Sequence, residues 1–158
     1  YRAGKLRAIG VSNFLVDRFL DLVHFVEIPP AVNQVETHVF TQQRELQQVM
    51  QETDTKLMSW GPFAEGKNDY FRTPTLVAIG EKYGCSAAQV ALRYLLQRDI
   101  ILIPKSVRRE RMAQNFDIFG FTLDAEDMER IEELDTHKPL IADHRDPDYV
   151  RLLIGISL

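Results

Sequence analysis

Two cations and a hydroxyl group lie close together in the sequence, directly after an apolar run. Lys105 and Ser106 follow the run Ile100–Pro104, and Arg111 lies on the helix predicted to come next. A helix N-terminus beside Ser106 adds free N–H groups and the positive end of the helix dipole, both of which favour a bound phosphate. Because the chain carries a formal net charge of −4, this local positive group stands out and predicts a phosphate site.

Three neutral hydrogen-bonding side chains lie at the ends of two other predicted strands. Ser12 and Asn13 end one strand, and Gln34 ends the next. Because the carboxyl ends of parallel strands meet at one edge of a sheet, we expect these side chains to converge on one ligand. Hydroxyl and amide groups would offer that ligand both donors and acceptors. An alternative is that Ser12 only caps the helix predicted to begin near Val16.

The histidines and the cysteine of the chain do not indicate a metal site or a disulfide. The histidines are His24, His38, His137 and His144. None of them has the spacing of a metal-ligand motif, so we predict no metal site. The only cysteine is Cys85, which excludes an intramolecular disulfide and favours a reducing compartment, so we expect a cytoplasmic protein.

The composition is that of an ordinary globular protein, with 45% hydrophobic and 27% charged residues. Because the chain contains 19 Lys and Arg but 23 Asp and Glu, it has no general positive field that would attract nucleic acid or an anionic membrane. No run approaches the roughly 18 apolar residues that span a bilayer. The chain opens at Tyr1 in a basic, glycine-containing stretch typical of a helix end, and we expect it to be a fragment.

Short apolar runs predict four strands, which are Arg7–Val11, Ala31–Val35, Lys56–Trp60 and Ile100–Ile103. The last run is continuously apolar, which is typical of a strand buried on both faces.

Amphipathic stretches separate these strands and predict helices over Val16–Phe25, 42–52, Pro74–Tyr83, 86–97, 108–116 and 124–134. The expected core faces are Val16, Phe19, Leu20 and Val23 in the first helix and Leu46, Val49 and Met50 in the second. Ser86 and Asp124 are expected caps. From Thr136 onward the periodicity ends, and we predict a tail with an apolar end, Val150–Leu158.

Strands that alternate with helices indicate a parallel α/β architecture. A doubly wound open sheet usually has a GxGxxG loop after its first strand, and residues 9–14 contain only one glycine. The alternative is a (β/α)8 barrel, which typically needs about 250 residues. Because only four strand–helix units are present, the chain would be half of such a barrel.

Four segments in order resemble the aldo-keto reductases. They are Gly4–Phe14 (GKLRAIGVSNF), Pro30–His38 (PAVNQVETH), Ser59–Phe63 (SWGPF), and Ile103–Ser106 (IPKS) followed by Arg111 and Asn115. The resemblance implies strands five to eight of that family's TIM barrel, with the first four units missing. It divides the chain into a half-barrel with a nicotinamide-cofactor site, residues 1–135, and a C-terminal tail, residues 136–158.

The resemblance also implies a role for each candidate residue in binding NADP(H). Ser12, Asn13 and Gln34 would hold the nicotinamide carboxamide, and Trp60 would stack on the nicotinamide ring. Gly61 stands where Ser is commoner, which leaves its backbone N–H for the pyrophosphate, and Phe63 would also contact the cofactor. Lys105, Ser106 and Arg111 would bind the adenosine 2′-phosphate, and Gln114 and Asn115 would lie beside the adenine. Arg108, Arg109 and Glu110 are interpreted as a solvated helix face.

The family reduces carbonyl compounds with a Tyr proton donor, a Lys, an Asp and a His, all carried by the missing strands. We therefore assign no catalytic residue here and interpret Tyr70, Tyr83 and Tyr94 as packing residues. The expected activity of the complete enzyme is NADPH-dependent reduction of aldehydes or ketones. The alternative is a non-catalytic half-barrel that binds nucleotide or serves as a structural module. Unpaired barrel edges predict self-association.

Overall fold

The computed structural model describes residues 1–155. Four parallel strands form one sheet in sequence order, namely β1 (Gly10–Ser12), β2 (Val32–Glu36), β3 (Lys56–Trp60) and β4 (Ile101–Leu102). Ser12 lies opposite Gln34, and Glu36 lies opposite Trp60. The predicted α/β fold with a parallel sheet is confirmed.

Helices connect the strands and follow the last of them. Helix α1 (Val16–Phe25) joins β1 to β2, and α2 (Arg44–Gln51) joins β2 to β3. Between β3 and β4 lie a kinked 3-10 segment (Ala64–Arg72), α3 (Pro74–Tyr83) and α4 (Ala87–Gln97). After β4 come α5 (Arg109–Phe116), α6 (Ala125–Glu132) and α7 (Pro147–Gly155).

Local sequence signals determine several of these helix ends. Ser86 and Gln89 form a reciprocal capping box at the start of α4. The carboxylate of Asp124 accepts the Asp127 N–H at the start of α6. Gly84 ends α3 in the left-handed conformation at φ +66°, which a residue without a Cβ adopts at little cost. The predicted caps at Ser86 and Asp124 are confirmed.

The helices cover only one face of the sheet. Along β2 and β3, Val35, Leu57 and Ser59 are buried, whereas Gln34 and Met58 on the other face are half-buried. The covered face packs on a core whose largest members are Phe19, Leu46, Met50, Leu76, Ile79, Tyr94 and Leu95. Parallel sheets are normally covered on both faces, so the uncovered face is a distinctive feature of this chain. No helix within residues 1–155 has the length and apolar character needed to cross a membrane.

The expectation that the fourth strand is buried on both faces is wrong. Ile101 is 37% exposed and Ile103 is 43% exposed. Within the described chain, β4 pairs only with β3, so it is an edge of the sheet. Because nothing covers the open face or the outer edge there, an apolar sequence is left in contact with solvent.

The first strand is shorter than predicted, since β1 begins at Gly10 rather than Arg7. Its partner β2 is preceded by Pro29 and Pro30, which have no N–H to extend the ladder. The placement of Leu20 on the core face of α1 is also wrong, because Leu20 is 44% exposed. Helix α2 starts two residues later than predicted because Gln43 adopts a left-handed φ of +53°.

The tail predicted from Thr136 onward contains a short helix, α7. Pro147 stands at its first position, where a missing N–H is harmless, and Asp146 accepts the Asp148 N–H with its side chain. The hydrophobic pattern does not indicate this helix, because the segment is short and interrupted by charged residues. Residues 156–158 of the predicted apolar end lie outside the described residues.

Candidate functional site

The sheet brings together four of the predicted site residues at its carboxyl edge. Ser12 ends β1, Asn13 follows it, Gln34 lies near the end of β2, and Trp60 ends β3. Since β1, β2 and β3 are parallel neighbours, residues distant in sequence meet at one end of the sheet.

Asn13 links the first and third strands. Its backbone has a left-handed φ of +59°, a conformation that Asn tolerates better than most residues. Its N–H donates to the Gln34 carbonyl oxygen at 2.9 Å, and its Oδ1 accepts from the Trp60 indole Nε1 at 2.8 Å. The indole ring is therefore held from two strands away.

Ser12 does not act as a helix cap. Its Oγ donates to the Gln34 carbonyl oxygen at 2.9 Å. The N-cap of α1 is Leu15, and no side chain caps that helix end. The alternative that Ser12 caps the helix is wrong, because its hydroxyl joins β1 to β2 instead.

The amide groups of Asn13 and Gln34 retain complementary hydrogen-bonding capacity. The Gln34 Nε2 contacts the Met58 sulfur at 3.0 Å, while its Oε1 accepts no hydrogen bond from any residue in 1–155. The two amide hydrogens of Asn13 likewise have no acceptor within that range. A planar carboxamide needs one donor and one acceptor of this kind, so the two side chains fit such a group.

Gly61 follows Trp60 in a turn with left-handed backbone, which glycine adopts at little cost. Its φ is +63°, and a Cβ there would lie 2.8 Å from Cδ1 of Ile141. A serine at this position would therefore have a strained backbone, and the end of the Ile141 side chain would have to shift. Phe63, two residues further on, is half-buried in an aromatic cluster with Tyr70 and Phe71.

The predicted phosphate-binding residues follow β4 at the same edge of the sheet. Lys105 and Arg111 are exposed. The half-buried Ser106 Oγ accepts the Arg108 N–H at 3.1 Å. No acidic side chain in the described part of the chain forms an ion pair with Lys105 or Arg111. Their charge is therefore available to an anion.

Gln114 and Asn115 lie on α5 in different surroundings. Gln114 is exposed, whereas Asn115 is half-buried. Asn115 lines an apolar cavity of about 440 Å³ between β4 and α5, together with Ile101, Met112 and Phe116.

Glu36 is not among the predicted site residues. Glu36 is 3% exposed. Its Oε1 accepts from His38 Nε2, Leu140 N and Ile141 N, and its Oε2 accepts from Ala142 N. Burial opposes its charged form, but these hydrogen bonds outweigh burial and lower the pKa of Glu36. Only the alternation with His38 signalled it in the sequence.

The tyrosines that were interpreted as packing residues are engaged within the fold. Tyr70 is fully buried and donates to the Pro62 carbonyl oxygen. Tyr94 is also buried and donates to Gln42 Oε1, and Tyr83 donates to Asp127. Burial raises the pKa of both Tyr70 and Tyr94.

Residues 1–155 contain no group of three or more His, Cys, Asp or Glu side chains arranged to hold a metal ion. The described site therefore consists of neutral hydrogen-bonding groups, one indole and a group of cations.

Comparison with known proteins identifies the family of the chain. The sequence model for the aldo/keto reductase family matches residues 1–136. This chain belongs to the aldo/keto reductase family. The four sequence segments quoted above thus fall in a true member of the family, and the parallel α/β sheet is the expected setting for them.

Relatives of this aldo/keto reductase chain agree in sequence and structure. It is 42% identical over 134 residues to "Glyoxal reductase" of Bacillus subtilis, an alignment that covers 85% of this chain and 48% of the relative. It matches the crystal structure of MGS-M4, an aldo-keto reductase from a Medee basin deep-sea metagenome library, with a TM-score of 0.85 and 41% identity. That match covers 88% of this chain and 52% of MGS-M4.

A further match is a Gox0644 mutant solved in complex with NADPH. The TM-score is 0.80 and the identity 38%, with 85% of this chain and 49% of Gox0644 covered. This chain therefore spans about half the length of the relatives that it matches.

Proposed function

We propose that this chain is the cofactor-binding, C-terminal half of an NADPH-dependent reductase of aldehydes and ketones. The observation that carries the proposal is the meeting of Asn13, Gln34 and Trp60 at one strand edge. The Asn13 amide hydrogens and the Gln34 Oε1 offer a donor and an acceptor beside an indole ring that Asn13 itself holds at 2.8 Å. That set suits a nicotinamide ring with its carboxamide.

The group of cations after β4 supports NADPH rather than NADH. Lys105 and Arg111 have no acidic partner in residues 1–155, and α5 begins beside them at Arg109. A 2′-phosphate, which only NADPH carries, would gain charge-assisted hydrogen bonds there. That a relative binds NADPH agrees with this assignment.

The shape of the sheet supports a half-barrel, strands five to eight of eight. One face of the sheet is open, and in residues 1–155 both β1 and β4 lack a second neighbour. Large apolar side chains are exposed on the helices that follow β1 and β4, with Leu20 and Phe25 on α1 and Met112 and Phe116 on α5. A complete barrel would cover all of these surfaces.

We propose that the proton donor of the reaction lies on the four strand–helix units that this chain lacks. Bound NADPH supplies the hydride. The residues of this chain bind and orient it, through Ser12, Asn13, Gln34 and Trp60. Reduction also needs an acid for the developing alkoxide. Tyr70 and Tyr94 are buried in internal hydrogen bonds with raised pKa values, so we propose no catalytic residue within the chain.

The proposed setting is a cytoplasmic enzyme with a small carbonyl substrate and no nucleic-acid or membrane partner. The net charge of −4 and the single unpaired Cys85 support it.

A second candidate function is a non-catalytic nucleotide-binding or structural module. The open face and the exposed edges favour it, because they leave surfaces on which another chain could pair. The two candidates differ in turnover once the missing half is supplied.

The test combines binding and turnover. NADPH added to the 158-residue chain should change Trp60 fluorescence in a saturable way, since Trp60 is the only tryptophan. The chain alone should oxidise NADPH with a simple aldehyde no faster than background, and adding a family N-terminal half should produce activity. Saturable NADPH oxidation by the chain alone would refute the assignment of the acid to the missing half. Failure of the restored protein to turn over would favour the non-catalytic module.

A further inference from the structure

Glu36 ties the C-terminal segment to the sheet at the edge where the candidate site lies. The backbone N–H groups of Leu140, Ile141 and Ala142 all donate to its carboxylate, at 2.7, 2.9 and 3.0 Å. These donors come from 104 to 106 residues further along the chain. Charge-assisted hydrogen bonds of this kind are about twice as strong as neutral ones, so the segment is held firmly.

The carboxylate of Glu36 is buried and surrounded by donors from the protein itself. His38 supplies a fourth donor through Nε2, at 3.1 Å. The other ring nitrogen, Nδ1, accepts the Phe40 N–H, which assigns the hydrogen to Nε2. Glu36 is 3% exposed and accepts four hydrogen bonds, three at Oε1 and one at Oε2. Glu36 therefore acts through the segment that it binds and not on a substrate.

The segment held by Glu36 contacts the turn that follows Trp60. Cδ1 of Ile141 lies 2.8 Å from the place where a Cβ at Gly61 would be. The same turn is joined to β2, because the Thr37 N–H donates to the Trp60 carbonyl oxygen at 3.2 Å. Its own closing hydrogen bond runs from the Ala64 N–H to the Gly61 carbonyl oxygen at 2.8 Å. Ile141 thus packs against a left-handed turn at Gly61, one residue from the indole.

We propose that Glu36 is a positioning residue for the cofactor site, acting through Ile141 on the Gly61 turn. This inference rests on the proposed function, because it takes the Trp60–Gly61 turn to be where NADPH binds. The carboxylate fixes residues 140–142, Ile141 then limits the movement of Gly61, and Trp60 keeps its orientation.

The test compares Glu36→Gln, Ile141→Ala and the double variant with wild type. Leu140→Ala is the matched control, because it truncates a neighbouring partly buried side chain and leaves Ile141 in place. One readout is NADPH affinity. The other, measured without NADPH, is the hydrogen-exchange rate of the Ala64 amide, which reports whether the Gly61 turn is closed.

We expect Glu36→Gln and Ile141→Ala each to weaken NADPH binding about tenfold and to speed hydrogen exchange at the Ala64 amide. Because both substitutions act on the same contact, the double variant should bind NADPH no more weakly than the more affected single variant. Leu140→Ala should leave both readouts within about twofold of wild type. If Ile141→Ala leaves Ala64 exchange and NADPH affinity unchanged, the inference is wrong, whatever Glu36→Gln does to folding.

The proposed function fails in a different way. If wild type does not bind NADPH at all, the cofactor assignment falls. In that case the positioning of the turn by Glu36 is still decided by Ala64 exchange. Unchanged exchange in Ile141→Ala would then overturn it.

Discussion

The side-chain oxygen of Asn13 accepts the indole N–H of Trp60 at 2.8 Å, although the two residues lie on β-strand ends separated by a whole intervening strand. The left-handed φ of +59° at Asn13 aims the side chain across the end of β2. This contact sets the orientation of the ring that we propose to face the nicotinamide.

Replacing Asn13 with glycine should disturb Trp60 without straining the backbone. Glycine adopts a positive φ freely, so Asn13→Gly removes the hydrogen bond to Trp60 and the proposed carboxamide contact without straining the backbone. We expect Trp60 emission to shift to longer wavelength, and NADPH and NADH to bind more weakly by similar factors. Asn68→Gly, which replaces another left-handed Asn on an exposed segment, should leave the emission unchanged. Identical emission spectra for the two variants would contradict this account.

Arg111→Ala should weaken NADPH binding far more than NADH binding. Loss of a charge-assisted contact to the 2′-phosphate should cost about 1.5–3 kcal/mol, or roughly 10- to 150-fold in Kd. Calorimetric titration with both cofactors measures the difference. Arg109→Ala, with the same charge change on the same helix, is the control and should have little effect. Equal losses for NADPH and NADH in Arg111→Ala would refute the phosphate assignment.

Trp60→Ala should weaken NADPH and NADH equally, because both carry the same nicotinamide ring. The loss of aromatic stacking predicts a factor of about five to ten in Kd, which calorimetry can measure in the absence of the tryptophan signal. A loss confined to NADPH would mean that Trp60 lies near the adenosine phosphate instead.

Acid should remove the stability that Glu36 contributes. Its hydrogen bonds lower its pKa from the ordinary value of 4.5, so the folded state favours the charged carboxylate. That contribution is complete above the unfolded pKa and is lost as pH falls through the lower folded pKa. In urea unfolding, the difference in free energy of unfolding between wild type and Glu36→Gln should be constant from pH 8 to about pH 5.5. Below that pH the difference should become smaller.

The Ile141→Ala variant keeps the Glu36 carboxylate and controls for lost packing. The difference in free energy of unfolding between Ile141→Ala and wild type should not change over the same pH range. If the difference for Glu36→Gln is equally independent of pH, the charge of Glu36 contributes nothing to stability.

The exposed edge at β4 should make the chain associate with itself. Ile101 is 37% exposed on an edge strand that has no outer neighbour within residues 1–155, and unpaired apolar edges favour pairing between chains. Sedimentation velocity should show association that rises with concentration and falls in Ile101→Lys. Val77→Lys changes an equally exposed side chain on α3 and should not reduce it. A compact monomer at every concentration would exclude this behaviour.

The elements and the family could be predicted from the sequence because their signals are local. Strand β3 occupies Lys56–Trp60 and helix α3 occupies Pro74–Tyr83, both as predicted. Caps such as Ser86 and Asp124 act on backbone groups within a few residues. The motifs around Ser12, Gln34 and Lys105 are likewise continuous in sequence, so they indicated the candidate site without any knowledge of distances.

What only the tertiary structure decided involves neighbours that are far apart in sequence. An apolar run such as the one at Ile101 is compatible with a central strand and with an edge strand. Only the order of the strands in the sheet shows that Ile101 is exposed. The donors to Glu36 come from backbone N–H groups at 140–142. Every non-proline residue carries such a group, so no side-chain pattern marks the partners of that carboxylate. Folding alone brings Glu36, Ile141 and Gly61 together, because Glu36 and Ile141 are 105 residues apart in the chain.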